Sequence, residues 1–134
     1  MKSLLLSLLL LASLNAKDVI YDTSTSLLWQ DSYANEEFAL TYKQAKEYCQ
    51  DLVIEEYKDF RIPTLNELQS IIDYKNYKPA IIKGFKYVGN ETYWSTTPYA
   101  HDYDYVWTVN FKKGARDVKA KHYDRYIRCV QKVK

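Results

Sequence analysis

The sequence predicts an α+β domain, and three observations carry that expectation. Short runs of strand composition lie near both ends of the chain, at Val19-Ile20-Tyr21, Leu27-Leu28-Trp29, Val106 to Phe111 and Tyr126 to Val130. Between them, two segments repeat apolar side chains at spacings of three and four, the period of an amphipathic helix. The 134 residues are 47% hydrophobic and 27% charged, with only 3 Gly, 3 Pro and 2 Cys. That composition suits one globular domain and excludes a collagen-like, disordered or disulfide-dense chain.

The elements follow in order. Met1-Lys2-Ser3 is a basic start, Leu4 to Leu14 is interrupted only by Ser7, Ala12 and Ser13, and Asn15-Ala16 precedes Lys17. This is the pattern of a secretory signal peptide, residues 1–16, cleaved after Ala16. The apolar run is about half the roughly 20 residues that span a bilayer, and no Cys ends it to accept a lipid. The expectation is a single domain at 17–134, periplasmic or secreted, with no transmembrane segment after cleavage. In that oxidising compartment Cys49 and Cys129 most simply form one disulfide. Free thiols or a redox pair would call for a Cys-x-x-Cys proximity that the sequence does not show.

Val19-Ile20-Tyr21 and Leu27-Leu28-Trp29 flank the polar Asp22-Thr23-Ser24-Thr25-Ser26, which predicts a hairpin. Tyr42, Ala45, Cys49 and Leu52 share one helical face, so Cys49 points to the core. Phe60-Arg61-Ile62 is extended up to Pro63, and Thr64 with Glu67 matches a capping box that opens a second helix, with Leu65, Leu68, Ile71 and Ile72 inward. Residues 73–104 hold little sustained period and read as a long irregular region with a few short strands, a type of segment that is usually functional. Tyr93-Trp94-Ser95 and Val106 to Phe111 are strands, Lys112-Lys113-Gly114 is a hairpin turn, and Tyr126 to Val130 is a closing strand expected to pair with the amino-terminal one.

Six separated blocks resemble the Lcl carboxy-terminal domain family, a bacterial family named for a collagen-like adhesin. They are Thr25-Ser26-Leu27-Leu28-Trp29, Ala45 through Cys49, Asp59 through Leu68, Tyr93-Trp94-Ser95-Thr96-Thr97, Trp107-Thr108-Val109-Asn110-Phe111 and Arg128-Cys129-Val130. Ser26 stands where the family pattern has a turn Gly, Phe60 where it has Trp, and Ile62 where it has Leu. The resemblance implies a C-type-lectin-like fold with two helices, paired terminal strands, a long loop region and a second small antiparallel sheet. It does not carry over the adhesin's collagen-like repeats, because 3 Gly cannot make a Gly-X-Y tract.

Function is less legible than fold. The net charge of +2 gives no sign of nucleic-acid binding, but it conceals an uneven distribution. Residues 17–111 hold 9 Lys/Arg against 15 Asp/Glu, a balance of −6, while residues 112–134 hold 9 against 2, a balance of +7. Lys112, Lys113, Arg116, Lys119, Lys121 and Arg125 on one face would bind an anionic glycan; a solvated strand whose lysines blunt a sheet edge is the plainer explanation. Tyr99 and Tyr103, with Tyr77, Tyr87 and Tyr105, are candidates for an exposed aromatic surface, whereas Trp29, Trp94 and Trp107 sit in the family blocks and suit the core. Arg128 is expected as a structural ion-pair partner. His101-Asp102-Tyr103-Asp104 is a weak metal pattern without a calcium-lectin signature, so no metal or cofactor is expected, and no enzyme motif is found. The leading expectation is a non-enzymatic lectin-like binding module for an anionic polysaccharide. The alternative is an envelope subunit whose tyrosine-rich loops hold a partner protein.

Overall fold

A computed structural model describes residues 18–133. The elements run β1 (Val19–Asp22), β2 (Leu27–Gln30), α1 (Ala34–Glu37), β3 (Ala39–Leu40), α2 (Tyr42–Asp51) and α3 (Leu65–Ser70). They continue with β4 (Thr92–Pro98), β5 (Tyr105–Asn110), β6 (Ala115–Ala120), β7 (Arg125–Tyr126) and β8 (Val130–Lys132). The described residues therefore form an α+β fold with three helices, two sheets and one disulfide. The expected signal peptide at 1–16 lies outside them. No helix among the described residues is long and apolar enough to cross a membrane.

The predicted amino-terminal hairpin forms, with Ile20 opposite Trp29 and Asp22 opposite Leu27. Its turn is built by Asp22, whose carboxylate accepts from Ser24 N (3.0 Å), Ser24 Oγ (2.7 Å) and Thr25 Oγ1 (2.9 Å). Ser26 then takes φ 59°, the left-handed conformation that a glycine adopts without strain. β8 lies along the other side of β2, with Val130 opposite Trp29, so the two ends of the domain meet as expected. The closing strand itself differs from expectation. Arg125–Tyr126 pairs with Ala39–Leu40 in the second sheet, and only Val130–Lys132 joins the first. The intervening Ile127, Arg128 and Cys129 are all buried, and turning the chain between sheets brings Arg128 and Cys129 to their partners.

Both long helices begin where their caps dictate. Thr41 and Gln44 form a capping box at α2, and Thr64 and Glu67 form the predicted one at α3. α3 stops at Ser70, so Ile71 and Ile72 are buried as expected but beyond the helix. The one-turn α1 and the two-residue β3 were not read from the sequence; elements so short carry no measurable period.

The second sheet has the order β3-β7-β4-β5-β6 and is antiparallel except at the Tyr93–Tyr126 bridge between β4 and β7. Alternation along its strands gives it two buried faces. Tyr93, Val109 and the following Phe111 join Leu65 and Leu68 of α3 and Trp29 of β2 in one core. Trp94 and Val106 turn to a second core with Ala45 and Cys49 of α2. Cys49 bonds Cys129 across a Cα–Cα distance of 5.5 Å, tying α2 to the chain's end. The 80-residue separation gives a loop-closure stabilisation of about 4.5 kcal/mol.

Residues 73–91 are irregular, as predicted, but they are pinned. Lys78 N and Ala80 N donate to Lys112 O and Phe111 O (2.8 and 2.7 Å), docking this segment on the β5–β6 turn. Gly114 in that turn has φ +79°, and a Cβ there would stand 2.7 Å from Ile72 Cγ2 and 3.1 Å from Tyr74 Cε1. The turn thus requires Gly for its conformation and for space.

Candidate functional site

The β5–β6 hairpin supplies the candidate site. Val106 faces Lys119, Thr108 faces Asp117 and Asn110 faces Ala115 across the two strands, and side chains directly opposite share a face. Toward β7 this face is covered by the second core; toward the Lys112-Lys113 turn it is open. There it forms a groove of about 280 Å³ lined by Thr92, Thr108, Asn110, Ala115 and Asp117 with Lys112, Lys113, Arg116 and Lys119.

Four of the six basic residues singled out in the sequence therefore line this groove, but the Arg116 guanidinium is turned to the opposite face. Their charges are not equally free. Lys119 Nζ lies 3.4 Å from Asp117 Oδ2, and Asp117 Oδ1 also accepts from Val118 N at 2.8 Å. The Arg116 guanidinium lies 5.4 Å from the Trp107 ring centroid, a cation–π contact on the sheet's other side. Lys112 and Lys113 are exposed, and their side chains enter no ion pair among the described residues. Among the groove's lining residues Asp117 is the single carboxylate, set against the ammonium groups of Lys112, Lys113 and Lys119, a balance of +2 from three cations and one anion.

The remaining two basic candidates stand elsewhere. Lys121 leaves the end of β6 and holds its ammonium 5.2 Å from the Tyr42 ring centroid. Arg125 sits half-buried in β7, opposite Leu40, with its Nε buried and without a partner. The expectation of one face bearing all six is corrected: strand β6 ends at Ala120, and the chain then turns away to reach β7.

The tyrosines divide in the same way. Tyr103 is 74% exposed at the far end of β5, about 17 Å of strand from the Lys112 turn. Tyr99 is half-buried, its ring edge-on to Trp107 and His101, so it packs rather than forming an open platform. Tyr87 and Tyr105 are also half-buried, while Tyr77 is exposed. Tyr74, passed over in the sequence, is exposed beside the hairpin turn, where its ring edge approaches Gly114. The loop region and the basic hairpin thus share a boundary at the turn, through residues 74–78, and not through Tyr99 or Tyr103.

Other singled-out residues have structural partners. Ser95 is buried, with Oγ donating to Trp107 O (2.6 Å) and accepting from Thr97 N (3.1 Å). His101, Asp102 and Asp104 are exposed on a turn closed by Asp102 Oδ1 accepting from Asp104 N. No group of three or more His, Cys, Asp or Glu among the described residues is placed to hold a metal ion.

Arg128 is the central buried charge. Its guanidinium donates to Gln30 O (2.7 Å), Asn35 Oδ1 (3.2 Å) and Tyr87 O, and Asp31 Oδ1 lies 3.5 Å away. Asp31 in turn accepts from the Lys86 and Tyr87 backbone N–H groups. Burial pushes the guanidinium's pKa down, and Tyr93 and Asp31 oppose that shift. Burial also pushes the Tyr93 hydroxyl up to about 12, so it stays protonated and donates to Asn35 O. The expected structural ion pair is therefore present, and it fastens the 85–87 segment to β2.

The sequence model of the Lcl C-terminal domain family matches residues 18–131, which takes in every element described above except Lys132, the last residue of β8. No curated protein matches the chain. With its six sequence blocks lying in one continuous matched domain, the chain belongs to the Lcl C-terminal domain family.

Proposed function

We propose that this protein is a non-enzymatic, extracytoplasmic binding module of C-type-lectin-like build that holds an anionic polysaccharide against its β5–β6 hairpin. The observation that carries the reading is the convergence of Lys112, Lys113 and Lys119 on one groove beside the Thr92 hydroxyl. Unpaired lysines supply point charges for acid groups, and hydroxyls both donate to and accept from sugar hydroxyls. The buried Cys49–Cys129 disulfide supports an oxidising compartment.

The test is binding of dextran sulfate, with neutral dextran as control, as salt is raised. Wild-type protein binds dextran sulfate at low salt, and binding weakens as exposed charges are screened. Lys112→Ala/Lys113→Ala/Lys119→Ala loses that binding by tenfold or more, on the order expected for several charge-assisted contacts. Failure of the wild-type protein to bind any anionic polysaccharide at low salt overturns the reading. Exposed Tyr74 and Tyr77 beside the turn would then favour the second reading, a partner protein seated on the same edge.

A further inference from the structure

We infer that the groove between α2 and the Arg61–Ile62 segment is a second ligand subsite, built for one acidic sugar ring. This groove of about 290 Å³ is lined by Tyr42, Lys46, Gln50, Arg61, Ile62 and Thr96. Tyr42, Lys46 and Gln50 stand four residues apart on α2, which places them in one row along the helix. That helix is held by its capping box and by the disulfide at Cys49, so the row is presented on a rigid support.

The groove's polar groups are unspent. The Lys46 ammonium, Gln50 amide, Thr96 hydroxyl and Tyr42 hydroxyl make no hydrogen bond among the described residues. Arg61 is fixed by a bidentate pair with Glu67, at 2.6 and 2.7 Å, and serves as a wall. Lys121, over the Tyr42 ring, adds positive charge at the margin. Gln50, Thr96 and Tyr42 each both donate and accept, as sugar hydroxyls do, while Lys46 and Lys121 suit a carboxylate. An extended acidic peptide fits less well, because the walls are side chains and offer no free strand edge to pair with its backbone.

The inference deepens the anionic-polysaccharide reading and rests on it for the class of ligand. Its site is separate, so the two fail separately. The experiment is a ¹H–¹⁵N NMR titration of the purified full chain with sodium glucuronate, with glucose and sodium acetate in parallel. Glucuronate produces saturable shifts at Gln50, Arg61 and Thr96, and glucose and acetate bind at least about tenfold more weakly. At exposed helix positions, Lys46→Ala weakens glucuronate binding by about tenfold, the effect of one charge-assisted contact, and Gln50→Ala by about fivefold, that of one neutral hydrogen bond. Lys112→Ala/Lys113→Ala leaves the glucuronate shifts intact. Absence of saturable shifts overturns the subsite, as does equal binding of acetate, which would mark a plain carboxylate site open to acidic peptides. Loss of dextran sulfate binding alone leaves the subsite standing.

Discussion

Replacing Arg128 with Met separates the work of one buried charge from that of the fold around it. Arg128 and Asp31 have side chains only 1% exposed, and the guanidinium also donates to Gln30 O, Asn35 Oδ1 and Tyr87 O. Met keeps much of the apolar bulk against Phe85 and Tyr93, the rings that flank the guanidinium. It leaves Asp31 as a buried carboxylate whose remaining named partners are two backbone N–H groups. Breaking one side of such a pair costs about 3–5 kcal/mol, which for a domain of this size is a Tm drop of about 12–20 °C. The assay is urea and thermal unfolding with the disulfide intact, followed by near-ultraviolet circular dichroism. Asp31→Asn in the same background removes the stranded charge while keeping an acceptor for Lys86 N and Tyr87 N. The double variant is therefore more stable than the sum of the single losses predicts, by about 2 kcal/mol of coupling. Amide exchange at Lys86 and Tyr87 rises in Arg128→Met, because their acceptor is no longer anchored. A single-variant loss below about 1 kcal/mol, or strict additivity, refutes the assignment of the 85–87 segment's order to this pair.

Ser26→Gly removes a left-handed strain and raises stability by about 0.5–1 kcal/mol; a lower urea midpoint would count against the strain. Gly114→Ala forces a methyl to 2.7 Å from Ile72 Cγ2 at φ +79° and lowers stability by about 2 kcal/mol, with faster amide exchange at Lys78 and Ala80. Cys49→Ser/Cys129→Ser loses about 4.5 kcal/mol by loop entropy, read as a lowered thermal midpoint. Burial alone would raise the Glu67 carboxyl, but hydrogen bonds from Arg61 and Thr64 outweigh it and hold Glu67 below its ordinary 4.5. Its contribution is therefore complete above pH 4.5 and is lost as pH falls through the lower folded value. Glu67→Gln lowers stability at neutral pH and flattens the acid limb of the stability–pH profile; an unchanged acid limb would show that Glu67 titrates as it does in the unfolded chain.

What was legible in the sequence is local. The Thr64–Glu67 capping box, the hairpin around Asp22, the inward face of α2 and the basic turn all arise from residues within a few positions of one another, and the structure has each of them. The disulfide was also legible, because two cysteines allow one pairing. What the sequence hid depends on partners far along the chain. Arg128 meets Asn35 across 93 positions and Tyr87 across 41, and that demand breaks the expected closing strand into β7 and β8. Strand composition over 126–130 marks an extended stretch, not that consecutive residues in it serve different sheets.

The same distinction explains the two grooves. The hairpin groove was half legible, since its lysines cluster in sequence, but the turn away from β6 after Ala120 removed Lys121 and Arg125 from it. The α2 groove was not legible, because Lys46 and Gln50 satisfy the amphipathic pattern as solvent-facing residues and nothing local marks them further. Only the extended Arg61–Ile62 wall, placed by the Arg61–Val130 bridge, turns that exposed helix face into a concave site. Lys121 stands between the two: two positions after Lys119 on the hairpin groove, it rests over Tyr42 on the α2 groove.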